Sequence, residues 1–178
     1  MYLNAIEFLE EEREAWRPYE SLATLSDDRI DQVVDGAHGW SARDLIGHLV
    51  AWQEWALKVA TDLAIGETSP AIAQLDALWE ERGDALNDDI TAEWRALPIA
   101  EVRRRFGTVP GELRGYLTVV PEARWIKHPA HLKTFYEETI EHYADHAADL
   151  EAILAAEGRR SAPGCSPPYA PRRSSWRS

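Results

Sequence analysis

Hydrophobic residues recur along most of this chain at steps of three and four, which is the spacing of one face of an α-helix. Four long segments show this pattern, over residues 2–24, 41–65, 98–120 and 130–157. No stretch shows the Val- and Ile-rich alternation that is typical of a β-strand. The pattern therefore predicts an all-α fold, built as a bundle of four helices.

Prolines and glycines mark the expected interruptions of these helices. Pro18 is expected to kink or restart the first helix and Pro110 to kink or break the third, because proline removes a backbone hydrogen bond and clashes one turn back. Ser41 with an acid three residues later predicts the N-cap of the second helix. Gly66 predicts its end.

The connections between the long helices contain further helical patterns. Two shorter patterns at 72–81 and 88–97 predict an extra helical segment between helices two and three, divided near Gly83. The earlier connection, residues 26–40, has room for one short turn of helix at 28–34.

Three histidines lie on the apolar faces of two different helices: His48 on the second, and His142 and His146 one turn apart on the fourth. The second face runs through Leu45, His48, Leu49, Trp52, Trp55, Val59 and Leu63, and the fourth through Leu132, Phe135, Thr139, His142, His146, Asp149 or Leu150, and Ile153. An unsatisfied buried imidazole costs about 1–3 kcal/mol. Three imidazoles can be satisfied together by one metal ion with an open fourth position. The alternative is three core histidines bonded to hydroxyls, carboxylates or water.

Several short motifs carry a resemblance to a known family. They are Gly39-Trp40-Ser41, Asp44-Leu45, His48-Leu49 with Trp52, and His142-Tyr143 with His146. In this order and at these separations they resemble the DinB/YfiT-like superfamily of bacterial four-helix proteins, over about residues 2–157. The stretch from Asn87 to Val102 is also similar to the DfsB/ClbS-like and thiol-transferase-like branches. The resemblance implies a DinB-like four-helix bundle in which His48, His142 and His146 bind a divalent metal.

The same resemblance implies a range of functions. Members include thiol-dependent S-transferases, such as mycothiol-dependent maleylpyruvate isomerase, and many proteins with no known activity. We therefore expect a metal-dependent thiol S-transferase or a related hydrolase in detoxification, whose partner is a low-molecular-weight thiol or another small molecule. A cyclopropane-opening resistance hydrolase, as in the ClbS-like branch, stays open, and so does a non-catalytic metal- or ligand-binding protein. Neutral imidazoles suit Zn²⁺, Ni²⁺ and Fe²⁺, and the sequence does not choose among them.

Other residues near the histidines receive roles by their position in the pattern. Asp149, three residues after His146, is the acid on this helix closest to the inward face; it either orients an imidazole or is a plain solvated acid. Trp40 is expected to cover a pocket mouth. The residues expected to form core or pocket wall are Tyr143 and Trp52. The residues expected to be ordinary surface histidines are His38, His128 and His131.

The charge distribution bears on partners. The chain carries a net charge of −12. Residues 1–157 contain 14 basic and 31 acidic side chains, a net charge of −17, whereas residues 158–178 contain five arginines and no acid. An acidic body repels phosphate backbones, so no nucleic-acid partner is expected. The basic run Arg103-Arg104-Arg105 is expected to be a solvated helix face or, in the alternative, a contact for an anionic substrate.

Composition also bears on compartment and assembly. Cys165 is the only cysteine, which fits a cytoplasmic protein, and no signal peptide or membrane segment is expected. A homodimer is expected from the abundant tryptophans and from an apolar face near Leu75, Leu78 and Trp79. Residues 1–157 are expected to form one domain, and the Pro/Ser/Arg-rich residues 158–178 a disordered tail.

Overall fold

The computed structural model describes residues 2–156, and these form helices and turns without a strand. The α-helices are α1 (Ala5–Trp16), α2 (Asp27–Ile30), α3 (Ala42–Ile65), α4 (Pro70–Arg82), α5 (Asp84–Ala96), α6 (Ile99–Val119), α7 (Pro129–Tyr136), α8 (His142–Asp145) and α9 (Ala147–Ala155). Short 3₁₀ turns cover Arg17–Thr24, Asp35–Ala37 and Glu122–Arg124, and a π-turn covers Glu137–Glu141. The all-α prediction is confirmed, while the predicted tail lies outside the described residues.

The long helix α3 is the central element of the fold. It packs most extensively against α6 and also contacts α4, α5, the π-turn and α9. Its first turn is closed by the predicted cap, in which Ser41 accepts a bond from the Asp44 backbone N–H and the Asp44 carboxylate accepts one from the Ser41 N–H. Arg95 of α5 donates two hydrogen bonds to the same carboxylate. The N-terminus of α3, about two turns before His48, is therefore fixed from two sides.

The helices α4 and α5 form the extra segment expected between the second and third long helices. They meet at Gly83, whose φ of 49° lies in the left-handed region that glycine tolerates best. Close packing of α5 on α3 depends on Gly47. A Cβ at that position would lie 2.7 Å from the Cβ and Cγ of Trp94.

The first helix changes character where proline predicts it. The α-helix ends at Trp16 and continues as a 3₁₀ turn that contains Pro18. The prediction for Pro110 was wrong in part, because α6 continues unbroken through this residue. Phe106, Val109 and Leu113 are buried on the face toward the core, and their packing offsets the lost backbone bond.

The prediction of one continuous helix over residues 130–157 was also wrong. A π-turn adds a residue at Glu137–Glu141, and the helix is interrupted again at His146, whose φ and ψ are −97° and 8°. These angles lie in the sparsely populated bridge region between helix and strand. The π-turn lets three consecutive residues, Glu138, Thr139 and Ile140, all be buried. The spacing of apolar residues at three and four positions predicts neither the π-turn nor the break at His146.

The apolar face that motivated the homodimer is largely covered within one chain. Leu75 is 2% exposed, and Trp79 packs against Trp52 with ring centroids 5.8 Å apart. A homodimer stays a prediction that needs another surface. Of the helices formed by residues 2–156, none has the length and apolarity that crossing a bilayer requires.

Candidate metal centre

The three histidines on the apolar faces meet in the folded chain. Nε2 of His48 lies 2.8 Å from Nε2 of His142, and one ring nitrogen from each of His48, His142 and His146 falls within 4.8 Å of the others. The predicted convergence of these residues is confirmed. These two values, 2.8 Å and 4.8 Å, lie on either side of the roughly 3.3 Å expected between nitrogens that share a tetrahedral ion at about 2.0–2.1 Å.

Burial keeps two of the three imidazoles neutral. His48 is 4% and His142 is 7% exposed. Burial, together with the charges of His142 and His146, holds the pKa of His48 well below its ordinary value. Burial, and then the charge of His146, lowers the pKa of His142 to about 3. Neutral imidazole is the form that binds a metal, so these nitrogens are available as ligands at neutral pH.

The third imidazole is oriented by a carboxylate, so of the two alternatives for Asp149 the orienting role is the one that the structure shows. Nδ1 of His146 lies 2.9 Å from Oδ2 of Asp149, which leaves Nε2 as the ring nitrogen that can face the cluster. Burial raises the pKa of Asp149, but the hydrogen bonds and charges of His146 and His38 outweigh it and hold that pKa below its ordinary value. Asp149 is therefore ionised at neutral pH.

Asp149 has a second histidine partner that the sequence pattern did not indicate. Nδ1 of His38 lies 2.8 Å from Oδ1 of Asp149, although the His38 side chain is 69% exposed. His38 was expected to be an ordinary surface residue, and its bond to a buried carboxylate corrects that. It lies in the connection before α3, where no helical face predicts a direction for the side chain. The only local signal is its place between Gly36 and Gly39, which marks a tight turn.

Residues 34–40 form a tight loop, the 34–40 loop, that lies against the cluster. The Val34 N–H donates to the Trp40 carbonyl at 3.0 Å, which closes the loop. His38 and Gly39 both adopt positive φ, at 55° and 77°. For histidine this conformation is uncommon and carries strain of order 1 kcal/mol or more. The loop thus holds the side chains of His38 and Trp40 beside the cluster, with a strained backbone at His38.

Tryptophan rings form the walls around the histidines. Trp40 stacks on His146 with centroids 5.4 Å apart and planes 22° apart, and it lies 5.0 Å from His48. Trp52 lies 5.9 Å from His142 and 6.3 Å from His48. The position of Trp52 agrees with its predicted role as core or wall, whereas the covering of a pocket mouth by Trp40 stays a prediction. Among the described residues, neither Nδ1 of His48 nor Nε1 of Trp52 has a hydrogen-bond partner, so the wall carries two buried polar groups that a ligand or water can satisfy.

A buried polar network lies behind His142. The hydroxyl of Tyr143 donates to Glu12 at 2.9 Å and accepts a bond from Gln53 at 2.6 Å. Arg114 donates to both oxygens of Glu12, and Tyr19 donates to the Tyr143 carbonyl. The network joins α1, α3, α6 and α8, so it fixes the backbone at the residue next to His142.

The remaining residues named from the sequence lie away from the cluster. His131 was expected at the surface but is 7% exposed, and its Nδ1 lies 2.5 Å from the Arg124 carbonyl. His128 caps α7 by accepting from the His131 N–H. The three consecutive arginines are paired within the chain: Arg103 pairs with Asp27, and both Arg104 and Arg105 pair with Glu101. An anion contact there would have to compete with these ion pairs.

Comparisons with known proteins found no match for this chain among family models, curated proteins or solved structures.

Proposed function

We propose that the protein binds one divalent metal ion through His48, His142 and His146. The observation that carries the proposal is the meeting of three ring nitrogens within 4.8 Å, supplied by parts of the chain that lie 94 residues apart. Three inward imidazoles without an ion would leave at least one ring nitrogen poorly satisfied. An ion satisfies all three at once.

The donor set fits a borderline divalent ion. Two imidazoles are kept neutral by burial, and the third carries a carboxylate partner on the nitrogen that faces away from the cluster. Such an outer partner is what a metal-binding histidine usually has, because it fixes the tautomer. We propose Zn²⁺, Ni²⁺ or Fe²⁺, since hard cations prefer oxygen ligands.

We further propose that the chain is a DinB/YfiT-like protein and acts as a thiol S-transferase or hydrolase. The proposal is supported by the order of the motifs around the three histidines and by the three-ligand set, which leaves an open position. A divalent metal bound there would lower the pKa of a water or thiol and supply a nucleophile at neutral pH. The chain itself contributes the apolar rings of Trp40 and Trp52, which exclude water, and the unpartnered indole N–H of Trp52, which can donate to a substrate oxygen.

A second candidate is a non-catalytic metal- or ligand-binding protein. The observation that favours it is the burial of the cluster, in which His146, the most accessible of the three histidines, has a side chain only 15% exposed. A metal sealed behind tryptophan rings stabilises a fold and reaches no substrate.

The metal proposal is tested by elemental analysis and by titration of the metal-free protein with Zn²⁺, Ni²⁺ and Fe²⁺. We expect one ion per chain in the wild type and loss of at least 100-fold in affinity in His142→Gln, as expected when a ligand is removed. His128→Asn is the matched control. It changes a histidine outside the cluster, and the asparagine side chain can still accept the N-cap hydrogen bond of α7. Equal affinity in all three proteins would refute the site.

The two functional candidates are separated by access to the ion. The Co²⁺-loaded protein is mixed with low-molecular-weight thiols, and its visible absorption is recorded. A thiol-dependent change, together with turnover of an electrophilic acceptor in a screen, supports the transferase. An unchanged spectrum at millimolar thiol and no turnover supports the non-catalytic protein.

A further inference from the structure

His38 reaches the histidine cluster through a single carboxylate. Its Nδ1 lies 2.8 Å from Oδ1 of Asp149, and Nδ1 of His146 lies 2.9 Å from Oδ2 of the same carboxylate. The exposed fraction of the side chain is 69% for His38, 6% for Asp149 and 15% for His146. The row therefore runs from the solvent to a residue of the cluster.

The bonding pattern determines which way each group points. An ionised carboxylate only accepts hydrogen bonds, so both imidazoles donate from Nδ1. A His146 ring that donates from Nδ1 has its lone pair on Nε2, the nitrogen that remains for an ion. With both of its oxygens bonded, the carboxylate of Asp149 cannot rotate without breaking one bond. His38 thus restricts the group that orients His146.

The backbone around His38 is shaped for this contact. His38 has a φ of 55°, in the left-handed region that only a few per cent of non-glycine residues adopt, although histidine, like Asn and Asp, does so more often than most. The 34–40 loop is closed by the bond from Val34 to Trp40, and it approaches α9 so closely that a Cβ at Gly36 would lie 3.3 Å from the Cβ of Ala152. The same loop stacks Trp40 on His146. Strain at one residue is retained where the side chain contacts Asp149, which points to a role for that contact.

We propose that His38 is a positioning residue for the proposed metal site, acting through Asp149 to hold the imidazole of His146 in its ligand orientation. The inference rests on the proposed metal function for one of its two readouts. The other readout is taken on the metal-free protein and does not depend on it.

Two substitutions separate the side-chain contact from the backbone strain. His38→Gly removes the donor but tolerates positive φ. His38→Asn also tolerates positive φ and places an amide N–H close to where Nδ1 of histidine lies. Both are made at an exposed position, so both variants are expected to fold with the wild-type circular dichroism spectrum.

The first readout is solvent exchange of the His146 Nδ1 proton, measured by ¹H–¹⁵N NMR without metal. We expect exchange about tenfold faster in His38→Gly, because Asp149 is then free to turn away, and near-wild-type exchange in His38→Asn. The amide proton of Val34 reports closure of the 34–40 loop and should exchange at the wild-type rate in both variants. Faster exchange of Val34 as well would show that the loop has opened, and the positioning role would be rejected in favour of a structural one.

The second readout is Zn²⁺ affinity, measured by competition with a chromophoric chelator. We expect His38→Gly to bind about five- to tenfold more weakly, which is less than the 10–100-fold typical of losing a direct partner of a ligand. His38→Asn should lie within about twofold of the wild type. In an Asp149→Ala background, His38→Gly should change the affinity no further, because the intermediary is gone.

Each failure has a distinct reading. Wild-type behaviour of His38→Gly in both readouts, failure of His38→Asn to rescue, or an additive loss in the Asp149→Ala background would each overturn the role of His38. Failure of the wild type to bind Zn²⁺, Ni²⁺ and Fe²⁺ would overturn the proposed function alone, and the proton-exchange comparison would still decide the role of His38.

Discussion

Gly47 offers a sharp test of how closely α5 is packed against α3, because it lies one residue before His48. Replacing it with alanine would place a Cβ 2.7 Å from the Cβ and Cγ of Trp94 and 3.0 Å from Cδ2. Trp94 is 1% exposed, and the clashing atoms lie next to its backbone, so a rotamer change cannot relieve the contact. Either α5 or α3 must shift.

The magnitude follows from two opposing terms. Overpacking of this kind costs about 1–3 kcal/mol. Alanine stabilises a helix interior by about 1 kcal/mol relative to glycine. Gly47→Ala is therefore expected to lower the free energy of unfolding by about 0–2 kcal/mol, the difference of those two terms. The sign of that number alone does not isolate the contact.

A matched substitution in α6 isolates it. A Cβ at Gly115 would meet no atom within 4 Å. Gly115→Ala therefore gains the stabilisation of alanine over glycine in a helix without the steric clash. The free energies of unfolding from urea titrations followed by circular dichroism should place Gly47→Ala about 1–3 kcal/mol below Gly115→Ala. Two alanine variants of equal stability would refute the close packing of α5 on α3.

Two further predictions concern the surroundings of the cluster. Tyr143→Phe should lower the free energy of unfolding by about 1–3 kcal/mol, because Gln53 and Glu12 each lose a buried hydrogen-bond partner. The control is Tyr116→Phe, which removes a hydroxyl on the exposed face of α6 and should change the free energy of unfolding by less than about 0.5 kcal/mol in the same urea titration. The metal-free protein should lose stability as the pH falls below about 6.5, because an unfolded histidine takes up a proton there and the buried His142, with its pKa of about 3, does not. At pH 5, His142 lowers the free energy of unfolding by about 2 kcal/mol relative to neutral pH. In His142→Gln the drop in the free energy of unfolding between neutral pH and pH 5 should be smaller by that amount. An unchanged drop in this variant would contradict the lowered pKa.

The part of the site that could be predicted from the sequence is the part that follows a helical period. His48 and His142 lie on faces whose neighbours are buried, so spacing alone predicted that they point inward, and the chain folds so that they meet. Asp149 was predicted for the same reason, three residues after His146 on one face.

The parts that could not be predicted depend on contacts between elements. His38 lies in a loop, and its bond to Asp149 exists only because the 34–40 loop docks on α9. His131 is buried because its ring bonds the Arg124 carbonyl in a preceding turn. Pro110 is tolerated within α6 because the helix packs along α3. Rules based on the sequence around a proline do not include this tertiary stabilisation.

The break at His146 shows the same limit at the backbone. The spacing of His142 and His146 fits a regular helix, but the chain leaves helical geometry at the second of them. A period indicates which residues share a face, but it contains no information about a local departure from helical φ and ψ such as the one at His146.

The distance along the chain between His48 and His142 has a consequence for folding kinetics. The two nitrogens come from residues 94 positions apart, and their contact forms only when the last helical run docks on α3. Closing so long a loop comes late, after the chain has paid most of its ordering entropy. An ion held between them would then contribute little to the folding transition state and almost all of its binding energy to the native state. Metal loading should therefore lower the unfolding rate and leave the folding rate nearly unchanged, so that a bound ion would increase the kinetic stability of the native state.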